Sequence, residues 1–305
     1  MKVSVLMPAC QQGPHVATTC ESAHQSLGDI PHEIVVLDDQ STDGCCDSLQ
    51  GWVKVIRPDE KLGCPKSRIR LQKEALGDVL LWCDPHCDFP GSSLADLCTE
   101  AYVSETLCQP IMQKLPGKST RYGGVFRIGV RGIGRKRCFR KPKARERGTA
   151  PLRAVVGGMY ACRADVWRNQ LGWMPLSGLT SFQDTALSLT AWFAGVTPRI
   201  CLNATMGHMS KEAYSGCGRG KYPFPVGDAD RILNNFAMHY AFFPRTWEFW
   251  KRILHSWRPK VDIDTLVQQP FMAEARDFLK FRRRRTEREF FAEELNRVYP
   301  TGEKL

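Results

Sequence analysis

Residues 78–91 read DVLLWCDPHCDFPG. An apolar run that stops abruptly at acids, with Pro and Gly behind it, is the pattern of a buried strand whose carboxyl end opens onto polar residues. In open α/β sheets ligands bind beyond the carboxyl ends of the strands, so the residues just after such runs are the ones to weigh. Residues two apart on an extended segment point to the same side, which places Asp84 and His86 to grip one ion together. A carboxylate oxygen with an imidazole nitrogen suits Mn²⁺ or a similar divalent ion better than Ca²⁺. The third ligand must come from elsewhere, and NATMGHMSKE places His208 just beyond the strand-like RICL. The plain alternative for His208 is a hydrogen-bonded structural histidine. Cys83, His86 and Cys87 do not follow the usual zinc-finger spacing, and the lack of a C-x-x-C pair removes the usual redox motif. Asp88 reads as a helix-start residue.

Outward from this strand, the first hundred residues alternate strand-like and helix-like segments, as in βαβ units. VSVLMP (3–8), HEIVVLDD (32–39), VKVIRP (53–58) and DVLLWCD (78–84) are the expected strands; 15–27, 43–50 and 65–76 are the expected helices. The fold class is α/β, a mostly parallel sheet flanked by helices. AVVGGMYACRADVW is a strand running into a helix, FQDTALSLTAWFAG a helix, and SGCGRGKYPFPVG (215–227) a lid-like loop. From residue 228 the spacing is helical.

A chain of 305 residues with 43% hydrophobic content buries a sizeable core, which excludes wholesale disorder. No apolar stretch reaches the roughly 20 residues that span a bilayer, and the first residues lack a signal-peptide core, so a cytosolic location is expected. The thirteen cysteines are odd in number and scattered, so a disulfide framework is not expected. The net charge of +11 is concentrated: residues 114–153 hold fourteen Lys and Arg against Glu146 alone, leaving −2 for the rest. This segment has no sustained period and reads as a long loop or hairpin inserted in the fold.

The ordered series VSVLMPACQQG, HEIVVLDDQSTDG, KLGCPKSRIRLQKEALGDVLLWCDPHCD, VVGGMYACRADVW and FQDTALSLTAWFAG resembles nucleotide-sugar glycosyltransferases of the GT-A (Rossmann-like) fold. Within these it is most similar to polypeptide N-acetylgalactosaminyltransferases. Their Asp-x-His motif sits in an LDxHCE context after Gly-x-x-x-Ala-Arg, matching Gly63 to Arg68 with Ser67 for Ala, and their third metal ligand in VGHV matches Met206 to Met209. The resemblance covers roughly residues 2–112 and 154–240. It implies a UDP-sugar donor and a divalent cation (Mn²⁺ or Mg²⁺) held by Asp84, His86 and His208. It implies that Arg68 and Arg70 lie near the diphosphate, that Asp38 and Asp39 contact uracil and ribose, and that Pro8, Ala9 and Cys10 line the base pocket. Capping of the next helix, through DDQSTDG (38–44), is the other reading of the two acids. Tyr214 and Lys221 belong to the lid. Gln183 and Asp184 stand where the family carries GGEN; Gln183 replaces its Glu, which leaves the stereochemistry open and makes Asp184 the best catalytic carboxylate.

The domains expected are a GT-A unit over 1–245, with a nucleotide-sugar half (1–112), a basic acceptor-side insertion (113–153) and an acceptor and metal half (154–245), then a helical extension over 246–305. The related animal enzymes carry a membrane anchor and a lectin domain, neither of which is read here. The basic insertion is composed like a groove for a polyanion, with Arg131, Arg135, Lys136, Arg137, Arg140 and Lys141 as acceptor-binding residues. The leading expectation is transfer to a hydroxyl on nucleic acid, such as a hydroxymethylated pyrimidine in bacteriophage DNA. Protein Ser/Thr or an anionic glycan is the alternative acceptor, and an inactive nucleic-acid-binding module is the alternative of another class.

Overall fold

The computed structural model describes residues 1–49, 51–117, 119–129, 131–138, 140–143, 148–176, 182–209 and 228–295. Strand β1 (Val3–Ala9) explains the layering: Val3, Val5, Met7 and Ala9 join one apolar cluster while Leu6 joins another on the opposite face. A strand buried on both faces needs a helical layer on each side. The chain supplies α1 (His15–Leu27), β2 (His32–Asp38), β3 (Val53–Ile56), α2 (Gly63–Glu74), β4 (Val79–Cys83), β5 (Cys87–Asp88) and α3 (Ser93–Ser104). There follow β6 (Cys108–Leu115), β7 (Thr120–Arg121), β8 (Gly124–Gly129), β9 (Gly132–Arg137), β10 (Thr149–Pro151), β11 (Met159–Arg163), α4 (Ala164–Gln170), α5 (Gln183–Phe193) and β12 (Arg199–Met209). Among the described residues five helices follow: α6 (Asp228–Phe242), α7 (Trp247–Trp257), α8 (Ile263–Leu266), α9 (Pro270–Lys280) and α10 (Glu287–Glu293).

The main sheet runs β10-β12-β6-β11-β4-β1-β2-β3. It is mixed but mostly parallel: β3, β2, β1 and β4 run together, β6 and β12 are parallel to each other, and β11 is antiparallel to β4 and β6. Helices α1 and α3 pack on one face, through Cys20, Ala23, Leu94 and Leu97. The other face packs on α2, α4 and α5, through Leu71, Trp167 and Leu187, around the ring contact of Trp82 and Trp167 at 5.3 Å. No helix among the described residues is long and apolar enough to cross a membrane. The twelve cysteines among them are all free.

Two local expectations are corrected. Residues 43–49 form turns rather than the helix expected over 43–50. The Asp43 carboxylate accepts from the N–H groups of Gly13 (2.7 Å) and Cys45 (3.1 Å), and Gly44 has φ of 68°, so side-chain bonding and a left-handed residue displace helical bonding. The strand expected at RICL extends through Met209, so His208 lies within β12 rather than after it.

Of the loop and hairpin readings of the basic segment, the hairpin holds: β8 and β9 pair from Gly124↔Arg137 to Gly129↔Gly132. Phe126 and Ile133 anchor it in a third apolar cluster with Leu189 and Phe193 of α5, Phe236 of α6, Trp250 of α7, Leu279 of α9 and Phe290 of α10. His239 of α6 is fully buried; its Nε2 accepts from the Ile133 N–H (2.8 Å) and its Nδ1 bonds the Asn235 carbonyl (2.7 Å). Gly132, at φ of 81°, lies so close to the His239 ring that any Cβ there would collide.

Burial holds the His239 pKa down to about 4, against the opposing pull of the Asn235 carbonyl, from an ordinary 6.5. The unfolded chain therefore binds the extra proton first. Stability is complete above about pH 6.5 and falls as the pH drops towards 4. Denaturant unfolding is expected to show wild type losing about 2 kcal/mol more than His239→Leu between pH 7 and pH 5. The same variant should be weaker at neutral pH by about 1–3 kcal/mol, since the Ile133 N–H loses its acceptor.

Candidate functional site

Asp84 follows β4, and its N–H is fixed on the Gly158 carbonyl at 2.8 Å. The chain then turns through His86 into β5, whose antiparallel pairing sets His208 of β12 opposite Cys87. That register closes a gap of 124 residues: His208 Nε2 lies 3.2 Å from Asp84 Oδ2. The His86 and His208 rings meet edge-on at 4.8 Å, and one ligand atom from each of Asp84, His86 and His208 lies within 4.8 Å of the others. Neighbouring ligands around an octahedral ion held at about 2.1 Å are about 3 Å apart, so the Asp84–His208 pair fits a divalent cation. The oxygen and nitrogen donor set fits one too, with open positions left for further oxygens.

A metal-binding imidazole must present an unprotonated nitrogen. His86 Nδ1 meets Gln12 Oε1 at 2.9 Å; an amide oxygen only accepts, so Nδ1 carries the proton and Nε2 is the unprotonated nitrogen. Gln12 is itself held through its amide nitrogen on the Cys10 carbonyl (2.8 Å). Gly158, at φ of 106°, makes room for His208: a Cβ there would lie 2.7 Å from His208 Cδ2.

Arg68 of α2 is buried and spans the site, bonding Asp84 Oδ1 at 3.1 Å and Gln183 Oε1 at 3.2 Å while its guanidinium lies 4.6 Å over the Trp173 ring. Burial alone would raise the Asp84 pKa. The His208 hydrogen bond and the charge of Arg68 outweigh it and hold the carboxyl well below the usual range. Trp173 is buried and forms the floor beneath Arg68.

Asp184, in the first turn of α5, is held at both oxygens: the Tyr160 hydroxyl donates to Oδ1 (2.6 Å) and Arg135 to Oδ2 (2.9 Å). Arg135 reaches in from β9, also donating to Thr185 Oγ1 (3.0 Å) and the Val155 carbonyl. A Cβ on Gly157 would lie 2.7 Å from Asp184 Oδ2, so the glycine admits the carboxylate. Asp184 and His208 share a cleft of about 510 Å³ with Arg121, Arg127, Arg135, Lys136 and Arg137.

Not every expected residue joins this centre. Pro8 and Ala9 lie beside Leu37 and Asp38 at the carboxyl ends of β1 and β2. Asp38 accepts from the Ser41 N–H (3.0 Å) and pairs with Arg57 (3.2 Å). Asp39 caps α2 through the N–H groups of Leu62 (2.6 Å) and Gly63 (2.9 Å), a different helix from the one considered in the sequence. Arg70, two residues and therefore about 200° beyond Arg68, pairs with Glu74 at 3.1 Å on the exposed side of α2 and is not brought to Asp84. Arg131 lies 5.5 Å over Trp257, and Arg140 and Lys141 are exposed outside the cleft lining. Tyr214 and Lys221 lie outside the described residues. Gln12 and Tyr160 were not singled out in the sequence; their only signals are the CQQG turn after β1 and the polar residue inside VVGGMYACR.

Residues 4–168 match the family described as glycosyl transferase family 2. N-acetylgalactosaminyltransferase 7 of Drosophila melanogaster is 25% identical over 199 residues, 58% of this chain and 34% of the relative. Polypeptide N-acetylgalactosaminyltransferase 15 of Homo sapiens is 26% identical over 215 residues, 63% of this chain and 34% of the relative. The chain thus spans about a third of the length of these curated relatives. Among solved structures, GalNAc-T7 with UDP, GalNAc and Mn²⁺ superposes with a TM-score of 0.73 at 18% identity, covering 97% of this chain and 57% of that one. Staphylococcus aureus TarS 1-349 in complex with UDP-GlcNAc superposes with a TM-score of 0.54 at 14% identity, covering 90% and 78%. These likenesses show the GT-A fold.

If Gln12 sets the His86 tautomer, Gln12→Leu should weaken Mn²⁺ binding about 10- to 100-fold in isothermal titration, with the melting profile kept. Asp84→Asn should weaken it further, since it removes the one anionic ligand. Unaltered Mn²⁺ affinity in both variants would mean that the ion is held elsewhere.

Proposed function

The chain belongs to glycosyl transferase family 2, and from that membership we propose that it moves a sugar from a UDP-sugar to a hydroxyl on a polyanionic acceptor, nucleic acid such as a 5-hydroxymethylpyrimidine in DNA. The observation that carries the acceptor reading is the shared cleft: Asp184 and His208 line the same walls as Arg121, Arg127, Arg135, Lys136 and Arg137. An anionic chain bound along β8 and β9 would bring its hydroxyl to Asp184, each phosphate contact adding salt-dependent affinity. A target base in a duplex would have to be flipped out to reach it.

Asp84, His86 and His208 would hold the cation, which supplies positive charge to the departing diphosphate when bound. Arg68, buried against Asp84, adds fixed positive charge on the same side. In the transfer the bond from the anomeric carbon to the diphosphate oxygen breaks and the acceptor oxygen bonds that carbon. The hydroxyl proton passes to Asp184, and UDP leaves. Tyr160 and Arg135 orient the carboxylate by holding one oxygen each. Gln183, bonded to Arg68, takes no proton; it fixes the guanidinium between the two halves of the site.

The human relative is named for a polypeptide acceptor, which favours a second reading: transfer to a hydroxyl on protein, Ser or Thr. Mass spectrometry after incubation with Mn²⁺ and a panel of UDP-sugars separates the two. Hydroxymethylated DNA is expected to gain a hexose or N-acetylhexosamine mass; a modified peptide with unmodified DNA would overturn the acceptor assignment. No turnover with any acceptor or water would point to an inactive binding module. Asp184→Asn should lower kcat by about 10²- to 10⁴-fold with donor binding retained. Asp84→Ala with His86→Ala should abolish transfer while leaving DNA binding intact.

A further inference from the structure

A second strongly basic hollow lies away from the cleft. It has a volume of about 260 Å³ and is lined by Pro244, Thr286, Glu287 and the arginines 245, 283, 284 and 285. Glu287 is the only acid in the lining, and it is buried: Oε1 accepts from the Arg245 N–H (2.8 Å), and Oε2 from the Thr246 N–H (3.0 Å) and hydroxyl (2.6 Å). Its charge therefore faces the backbone of the α6–α7 turn. The backbone under the arginines is fixed, because the N–H groups of Arg284 (2.6 Å) and Arg285 (3.0 Å) both donate to the Phe193 carbonyl at the end of α5. Arg283 stacks over Phe193 at 4.2 Å and Arg285 over Trp192 at 5.1 Å. The Arg245 and Arg284 side chains are exposed and have no ion-pair or hydrogen-bond partner among the described residues.

We propose that this hollow is a second phosphate-binding site, taking a phosphodiester of the same nucleic acid strand whose reactive segment occupies the cleft. The inference rests on the nucleic-acid reading of the acceptor. Arg283, which also donates to the Phe242 carbonyl, and Arg285, 3.9 Å from Glu293, are held against aromatic rings, and beside them Arg245 and Arg284 offer unengaged guanidinium donors for a phosphate. Helix α5 links the two sites: Asp184 is in its first turn and Phe193 at its last residue, about 14 Å apart at 1.5 Å per residue. A stacked strand rising about 3.4 Å per nucleotide covers that distance in about four nucleotides.

Fluorescence anisotropy with labelled single-stranded DNA of about 3 to 16 nucleotides, titrated with salt, tests this. The proteins are wild type, Arg245→Glu with Arg284→Glu, the milder Arg245→Gln with Arg284→Gln, and the cleft variant Lys136→Glu with Arg137→Glu. Wild-type affinity is expected to step up once the strand reaches both sites. The hollow variants should lose that step, reduce the salt slope for long strands by about 0.7 per lost phosphate contact, and bind the shortest strands as wild type does. The cleft variant should weaken binding at every length. Hollow variants that melt like wild type and match it at all lengths would overturn the second site while leaving the cleft reading in place. Wild type that binds no strand at all would overturn the nucleic-acid reading, and this inference with it.

Discussion

The two-residue pairing of β5 with β12 is the contact on which the site depends. It is short, yet it sets His208 opposite Cys87 and so places an imidazole from residue 208 against a carboxylate from residue 84. A one-residue slip would turn His208 to the other face of its strand. Everything else around Asp84 serves the same convergence: the Gly158 carbonyl holds its N–H, Arg68 balances its charge, and Gln12 orients His86. Two oppositely charged groups buried this closely are costly to separate, because each would leave the other without compensation.

A second constraint ties the basic hairpin to the chemistry. A hairpin with fourteen cations in its surrounding segment has no reason to be rigid by itself. It is made rigid from behind: Phe126 and Ile133 sink into an aromatic cluster built largely from the last helices, and His239 takes the N–H at the hairpin's turn. The helices after residue 228 thus act on the site through the hairpin. Arg135 carries that order forward to Asp184, and the arginines at residues 283–285 are set by the same α5 helix at its other end.

Much of this was legible in the chain before any coordinates. Apolar runs located β1, β2 and β4, the last two ending in acids, and the Asp84-Pro85-His86 spacing named two of the three candidate ligands. Asp39 shows where local reading fails. Adjacent acids after a strand are compatible with ligand contact or with capping the next segment, but the helix that Asp39 caps begins at Gly63, beyond β3, and no local pattern links the two. Arg70 fails for a simpler reason: helical geometry turns it away from Arg68, which sequence proximity hides.

What the sequence determined by itself was type and order: an α/β chain, a polar centre at the end of the fourth strand, a cationic insertion, and the residues able to bind an ion. These follow from periodicity and side-chain chemistry, which are local properties. What only the tertiary structure decided was conjunction. Whether His208 meets Asp84, whether Arg135 rather than Arg131 reaches Asp184, and whether Tyr160 and Gln12 matter depend on strand register and on contacts between residues far apart in the chain. Such contacts are selected by the free energy of packing the whole core, and no short stretch of sequence carries that information.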